Sequence, residues 1–292
     1  MSDYPWLIAE CGVNWKNLDQ AEDMIRAAAD AGFNFAKFQL FDDAVIEKIP
    51  SDAVRAELAG KKLGRTEIRR LCAVGRENRI EVFFTAMYED AFHLLERAQV
   101  PPFVKIRLAD EHNIPLWQAH ARDWHGTTLY STGNPEAEYG AGRIPLFCIG
   151  KYPAAPDEYE PAFAHASERR IGISLHAPDP ALLKRILLSQ FLAVELHVRL
   201  PYVTDCIDYA VSFSFTEAKE LIREVRHADA VLVGQPSDEP GVLRQPGDLD
   251  CEAPPTKRAL AVRKKRRMLR RAIAGKERAA DPGDGERAGD CG

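Results

Sequence analysis

Short apolar runs along this sequence end on polar and ionisable side chains often enough to suggest chemistry. Glu10 lies in WLIAECG, Lys37 and Gln39 in FAKFQL, Thr85 in EVFFTAM, and Lys105 in FVKIRL with Asp110 and Asn113 just beyond. Ser131 and Thr132 end TTLYST, Tyr152 follows PLFCIG, Ser174 and His176 end RIGISLH, and Glu195 and His197 lie in AVELHV. Taken singly, each has an ordinary explanation. A strand-end histidine is commonly a hydrogen-bonded structural residue, and a strand lysine commonly reaches for solvent. Taken together they say more. Two lysines inside apolar strands are costly to bury unless an anion meets them. Two histidines on consecutive strands can share one divalent metal. The set reads as an anion site beside a metal site, suited to a phosphorylated or carboxylated substrate and a metal-polarised electrophile.

The elements that must position these residues follow from the hydrophobic pattern. Eight β-prone runs occur at 6–12, 35–40, 81–87, 103–108, 127–132, 145–150, 170–176 and 193–198. Most are apolar throughout, as expected of strands covered on both faces. Helical patterns separate most of them: 18–32, ending on Gly32, then 66–78, 89–99, 180–190 and 216–228. Eight strand–helix units predict a closed (β/α)8 TIM barrel, whose chemistry sits at the C-terminal ends of the strands. An open doubly wound sheet is the alternative, but no GxGxxG follows the first strand. Between the fifth and sixth strands, GNPEAEYGAGRI is too short and glycine-rich for a full crossover helix, which predicts a loop or a single turn.

Composition bounds the rest. The chain has 292 residues, 46% hydrophobic and 28% charged, with net charge −5, which excludes collagen, coiled-coil and wholly disordered classes. No apolar run reaches the roughly 18–20 residues of a membrane span, and MSDYPWLIAECG lacks signal-peptide features, so the expected compartment is cytoplasmic. The six cysteines are scattered without a CxxC pair and read as buried thiols. Charge is uneven: residues 251–292 carry a net +6 and residues 1–250 a net −11. The expected organisation is a barrel over 1–234, a Pro/Gly/Asp-rich linker over 235–255 and a basic tail over 256–292. The tail is basic enough to contact an anionic partner, nucleic acid or membrane, but no aromatic residues are interleaved for base stacking, so a solvated tether is the plainer reading.

The same residues carry a family resemblance. IAECGVNWKNLDQAEDMIRAAADAGFNFAKFQLF is similar to the opening of the sialic acid synthase family, approximately IAEIGxNHxG, a helix, then GADxxKFQ. FFTAMYE, FVKIRLADEHNIPLW, LYSTG, YPAAPDEY, GISLH, VELHV and SFTEAKELI match in the same order, so the resemblance covers roughly residues 5–234. It implies condensation of phosphoenolpyruvate with an N-acylated hexosamine such as N-acetylmannosamine, giving a nonulosonic acid and phosphate. It implies a divalent ion, Mn2+ or else Mg2+, on His176 and His197, polarising the aldehyde of the open-chain sugar. Phosphoenolpyruvate contacts map onto Lys37, Thr85, Lys105, Ser131, Tyr152 and Ser174. Glu10 matches the motif glutamate near the reacting carbons, and Asp110 takes the place of a sugar-holding glutamate. Gln39, Asn113, Thr132 and Glu195 join the substrate site by their strand-end positions. A homodimer is implied by the resemblance alone.

The sequence also departs from the family's pattern. Asn14-Trp15 stands for Asn-His, Arg107 and Leu108 stand where small residues are usual, Gly150 replaces an asparagine and Leu175 an aspartate. The loop after the eighth strand is shortened, with Asp205 as the candidate for its acid. The family's C-terminal antifreeze-like domain has no counterpart in this sequence. These changes fall mostly on the sugar side, so three readings stand. The first is a sialic-acid-synthase-like transferase. The second is a non-catalytic or repurposed relative that binds a ligand or partner. The third is another metal-dependent barrel enzyme, a lyase or hydrolase, with Glu10 or Glu195 as base. Cys148 and Cys206 have no evident histidine partner in the sequence, which argues against a nucleophilic thiol.

Overall fold

A computed structural model describes residues 5–140, 142–166 and 171–233. The expected linker at 235–255 and basic tail at 256–292 lie outside the described residues.

The strands are β1 (Trp6–Gly12), β2 (Phe35–Leu40), β3 (Glu81–Ala86), β4 (Phe103–Ile106), β5 (Thr127–Thr132), β6 (Arg143–Cys148), β7 (Gly172–Leu175) and β8 (Ala193–Arg199). They pair in parallel in sequence order, and β1 pairs with β8, so the sheet closes as a (β/α)8 TIM barrel rather than staying open. A two-residue strand, β9 (Phe213–Ser214), pairs in parallel with the last residues of β8.

Helices α1 (Leu18–Asp30), α4 (Arg65–Glu77), α5 (Ala91–Ala98), α6 (Ile114–Asp123), α7 (Glu160–His165), α8 (Pro180–Leu187) and α9 (Phe215–Val233) occupy the crossovers. Among the described residues no helix lies between β5 and β6, as the short glycine-rich connection predicts. Two short helices were not legible in the pattern: α2 (Asp43–Glu47) and α3 (Asp52–Ala59), inserted between β2 and α4. Each begins on a side-chain cap, Asp42 accepting from Val45 N and Ser51 from Val54 N. Such caps set helix starts even where hydrophobic periodicity is weak.

The runs that look apolar throughout do alternate, but between two cores. One face of each strand (Leu7, Ala9, Ala36, Phe38, Phe84, Val104, Ile173, Leu196) packs with the helices. The other face points into the barrel. Trp6, Ile8, Phe35, Phe83, Phe103, Leu129, Ile144 and Leu146 form a separate interior cluster at the N-terminal end. Within it Phe35 sits 5.2 Å from Phe103 and 5.6 Å from Phe83, edge-on. One step further along the same inward faces come Glu10, Lys37, Thr85, Lys105, Ser131, Ser174 and Glu195, all buried. The barrel is therefore an aromatic plug below and a polar layer above.

Because the plug supports that layer, Phe83→Ala should destabilise the protein by about 3–5 kcal/mol. A urea unfolding titration checks this; a midpoint equal to wild type would mean the ring carries no packing load.

Candidate active site

The floor of the site is an ion network fixed by strand register. Glu10 pairs with Lys37 across β1 and β2, and Thr85 with Lys105 across β3 and β4. The Lys37 ammonium ion-pairs with Glu10, donates to Thr85 Oγ1 at 2.9 Å and lies 3.3 Å from Glu195 Oε2. Lys105 Nζ donates to Glu195 Oε1 and Oε2 at 2.9 and 3.1 Å. Ser174 Oγ donates to the same Oε1 at 2.7 Å. Glu195 thus bridges both lysines, and the anion that the buried ammoniums require is supplied by the protein itself.

The charges shift accordingly. Burial raises the cost of every charge here, but Lys105 and Lys37 outweigh it at Glu195 and hold its carboxyl well below the usual range. Burial lowers Lys37, and Glu10 with Glu195 more than reverses that, leaving it raised. At Lys105 burial prevails and the ammonium is lowered. Both Glu10 and Glu195 direct their carboxylates at the buried ammoniums.

The histidines form one wall. His176 Nδ1 donates to the Ile149 carbonyl at 2.7 Å, which leaves Nε2 to accept from the Tyr152 hydroxyl at 3.1 Å. Burial, then neighbouring His197, lower His176 to about 4, so it is neutral at ordinary pH. The rings of His176 and His197 are 5.1 Å apart. His197 Nδ1 lies 3.3 Å from Asp208 Oδ2, within ion-pair range, yet no aligned hydrogen bond satisfies this buried nitrogen. Burial opposes the charge on His197, but Asp208 prevails and raises it; Asp208 is lowered in return. Asn14 sets this pair: its Oδ1 accepts from Asp208 N at 3.1 Å, and its Nδ2 donates to Val198 O and Ser212 Oγ, both at 3.0 Å.

Gly12 keeps the mouth open. Its φ is +49°, and a Cβ there would stand 2.9 Å from Glu10 Oε1 and 3.4 Å from Asp208 Oδ2. Trp15, standing where the family has histidine, is buried and donates from Nε1 to the Gly12 carbonyl at 3.1 Å.

These groups line a cavity of about 520 Å3 at the C-terminal end of the barrel. Glu10, Lys37, Gln39, Thr85, Lys105, Ser131, Tyr152, Ser174, His176, Glu195 and His197 all reach it. Four expected residues do not. Asp110 is held by Arg107 and by Asn113, whose Nδ2 donates to it at 3.2 Å, while Asn113 also caps α6. Thr132 is turned to Glu111. Asp205 is 75% exposed and pairs with Lys16 at 3.2 Å.

The acid at the site is Asp208, which the sequence analysis missed. DCID offers two aspartates three apart; Asp208 is held by Asn14 beside His197, whereas Asp205 turns out to Lys16. Arg107 and Leu108 also line the cavity, ahead of Asp110. Cys148 has the histidine neighbour its sequence context did not reveal, with Sγ 3.9 Å from His176 Nδ1, but burial raises its thiol. Cys11, Cys72 and Cys206 are likewise buried free thiols.

For a metal, the donor types fit. Neutral His176, His197 once it has released the proton that Asp208 favours, and the Asp208 carboxylate would form a nitrogen and oxygen set suited to a divalent ion. Ligation by His176 Nε2 requires the Tyr152 hydroxyl to turn away. Among the described residues no three metal-binding side chains are already gathered around one point.

A closed (β/α)8 barrel whose ionisable groups converge at the C-terminal strand ends has the architecture of a barrel enzyme. The chain belongs to the NeuB family, whose model matches residues 24–236. It is similar to the spore coat polysaccharide biosynthesis protein SpsE of Bacillus subtilis, 28% identical over 78% of this chain and 68% of that one. It is also similar to the N-acetylneuraminate-9-phosphate synthases of Mus musculus and Homo sapiens, each 26% identical over 80% of this chain and 72% of theirs. The fold matches the N-acetylneuraminic acid synthetase of Leptospira borgpetersenii serovar Hardjo-bovis with TM-score 0.65 and 22% identity, over 91% of this chain and 93% of that one. These similarities support an enzyme of the sugar-synthase type. Among the described residues no helix is long and apolar enough to cross a membrane.

Two outcomes are expected. Glu195→Gln strands the buried Lys105 ammonium, leaves Lys37 with Glu10 alone, and should cost about 3–5 kcal/mol in denaturant unfolding. The wild-type contribution of Glu195 is complete above the unfolded carboxyl pKa of about 4.3 and fades as pH falls through its lower folded value. The variant should therefore lose part of the acid dependence of stability. Separately, Asp208→Asn removes the charge that raises His197, so burial should draw its pKa below that of wild type. NMR titration of the metal-free protein reads this directly; an unmoved His197 would dissolve the pair.

Proposed function

We propose that this protein condenses phosphoenolpyruvate with an N-acylated hexosamine, N-acetylmannosamine or a related sugar, to a nonulosonic acid with release of phosphate. The observation that carries this reading is one cavity holding two buried lysines on one side and two histidines 5.1 Å apart on the other. Lys37 and Lys105 offer ammoniums to a trianionic substrate, with Thr85, Ser131 and Ser174 as neutral hydrogen-bond partners. For the anion to bind, the lysines give up part of their contact with Glu10 and Glu195. Carbon 3 of the enol then forms the new bond to the sugar's aldehyde carbon. Water adds at carbon 2, the bond from carbon 2 to the phosphate oxygen breaks, and the two protons of the water end on the former aldehyde oxygen and the released phosphate.

His176 and His197, with Asp208 beside them, would hold a divalent ion, Mn2+ or Mg2+, which supplies Lewis acidity toward the aldehyde oxygen. The floor bears on the same point. Its two ammoniums are already matched by two carboxylates, so an arriving anion adds uncompensated charge. A cation on the histidine wall offsets that charge, which couples the two binding events.

One observation favours a second reading. Leu108 fills the space against Gly150, where a Cβ would come within 3.2 Å, so the sugar side differs from the family's pattern. That suits a relative that keeps ligand binding without turnover.

Phosphate release from phosphoenolpyruvate, assayed over N-acylated hexosamines and simple aldoses with Mn2+, should require both sugar and metal. It should vanish in His176→Ala/His197→Ala. Calorimetry should give tighter phosphoenolpyruvate binding with Mn2+ than without. Binding without release would favour the second reading, and no binding would sink both.

A further inference from the structure

The cavity has a side that the polar groups do not explain. The inserted helices α2 and α3, with the link between them, contribute four residues to its lining: Val45, Ile49, Val54 and Leu58, every one aliphatic. Met87 beyond β3 and Ile207 beyond β8 continue the same wall. Val45, Ile49, Val54 and Ile207 are only partly buried, around the buried cluster that holds Leu58 and Met87. Charged residues of this insertion face away: Asp43, Glu47 and Asp52 are exposed.

The wall is held in place. Buried Lys61 donates to the Val13 carbonyl and to Glu57 Oε1 of α3, each at 2.6 Å, and Lys16 ties Glu57 to Asp205. On the β4 side Leu108, packed toward Gly150, adds a further apolar surface where the sequence resemblance expects small and polar residues. A sugar hydroxyl placed against such surfaces would lose its water without gaining a partner. An apolar group placed there gains by leaving water.

We infer that the acceptor sugar carries an apolar substituent larger than acetyl, a longer N-acyl chain or a group of like size, received by the α2–α3 wall. The inference rests on the proposed condensation and sharpens its substrate class. The ionic floor holds the anionic partner, the histidine wall faces the carbonyl, and the apolar wall selects what the acceptor carries away from its reacting carbon. Specificity then comes from burial of added methylenes, each worth about a fourfold gain in binding.

The test uses the full-length protein with mannosamine acylated by acetyl, propanoyl, butanoyl and hexanoyl chains. Phosphate release with phosphoenolpyruvate and Mn2+ gives kcat/KM, and calorimetry without phosphoenolpyruvate gives affinity. Through butanoyl, both should rise by about fourfold per methylene. Val54→Asn and Ile49→Gln, at partly exposed positions, should each flatten that rise. Turnover that is flat or falling with chain length overturns the inference and leaves the condensation standing. Release with no sugar overturns the condensation, and the affinity series still decides the inference: a rise that the variants flatten supports it, a flat series overturns it. A rise that persists undiminished in both variants also overturns it.

Discussion

The whole site depends on burying two lysines in the barrel. Lys37 and Lys105 come from β2 and β4, and Glu195 from β8 reaches across the barrel to touch both. An ammonium in such surroundings is tolerable only with carboxylate and hydroxyl partners in good geometry. That demand fixes much else. Glu10 must sit beside Lys37, Ser174 beside Glu195, and Thr85 beneath the Lys37 ammonium. The aromatic plug is the counterpart of this network, since tightly packed rings of Trp6, Phe35, Phe83 and Phe103 close the barrel interior below it. The barrel interior therefore carries a gradient, aromatic at its N-terminal end and ionic at its C-terminal end.

From that floor the cavity divides by chemistry. The β7 and β8 side bears His176, His197 and Asp208, arranged through Asn14 and the Ile149 carbonyl. The β2 and β3 side bears aliphatic residues on an insertion held by Lys61 and Glu57. The two sides are built largely from different loops over one scaffold, and they meet at Ile207 and Asp208 beyond β8. Lys37, Lys105, His176 and His197, which the resemblance singled out, line this one cavity, and so do Arg107, Leu108 and Gly150 among the departures.

The sequence by itself determined the barrel and the residues on its inward faces. Strand runs alternating with helices admit few architectures, and strand-end residues in a barrel converge whatever the loops do. It also established that two buried lysines need an anion, because desolvation is a property of the residue type. Only the tertiary structure decided that this anion is Glu195, since a partner across the barrel is set by register and closure. Only the structure chose Asp208 over Asp205, two identical side chains separated by one turn. It also drew Asp110 and Asn113 into a local cluster with Arg107, and it folded an unremarkable stretch after β2 into an apolar wall. Local pattern fixes which face of a strand a residue lies on; which distant loop meets it depends on packing that no local pattern encodes.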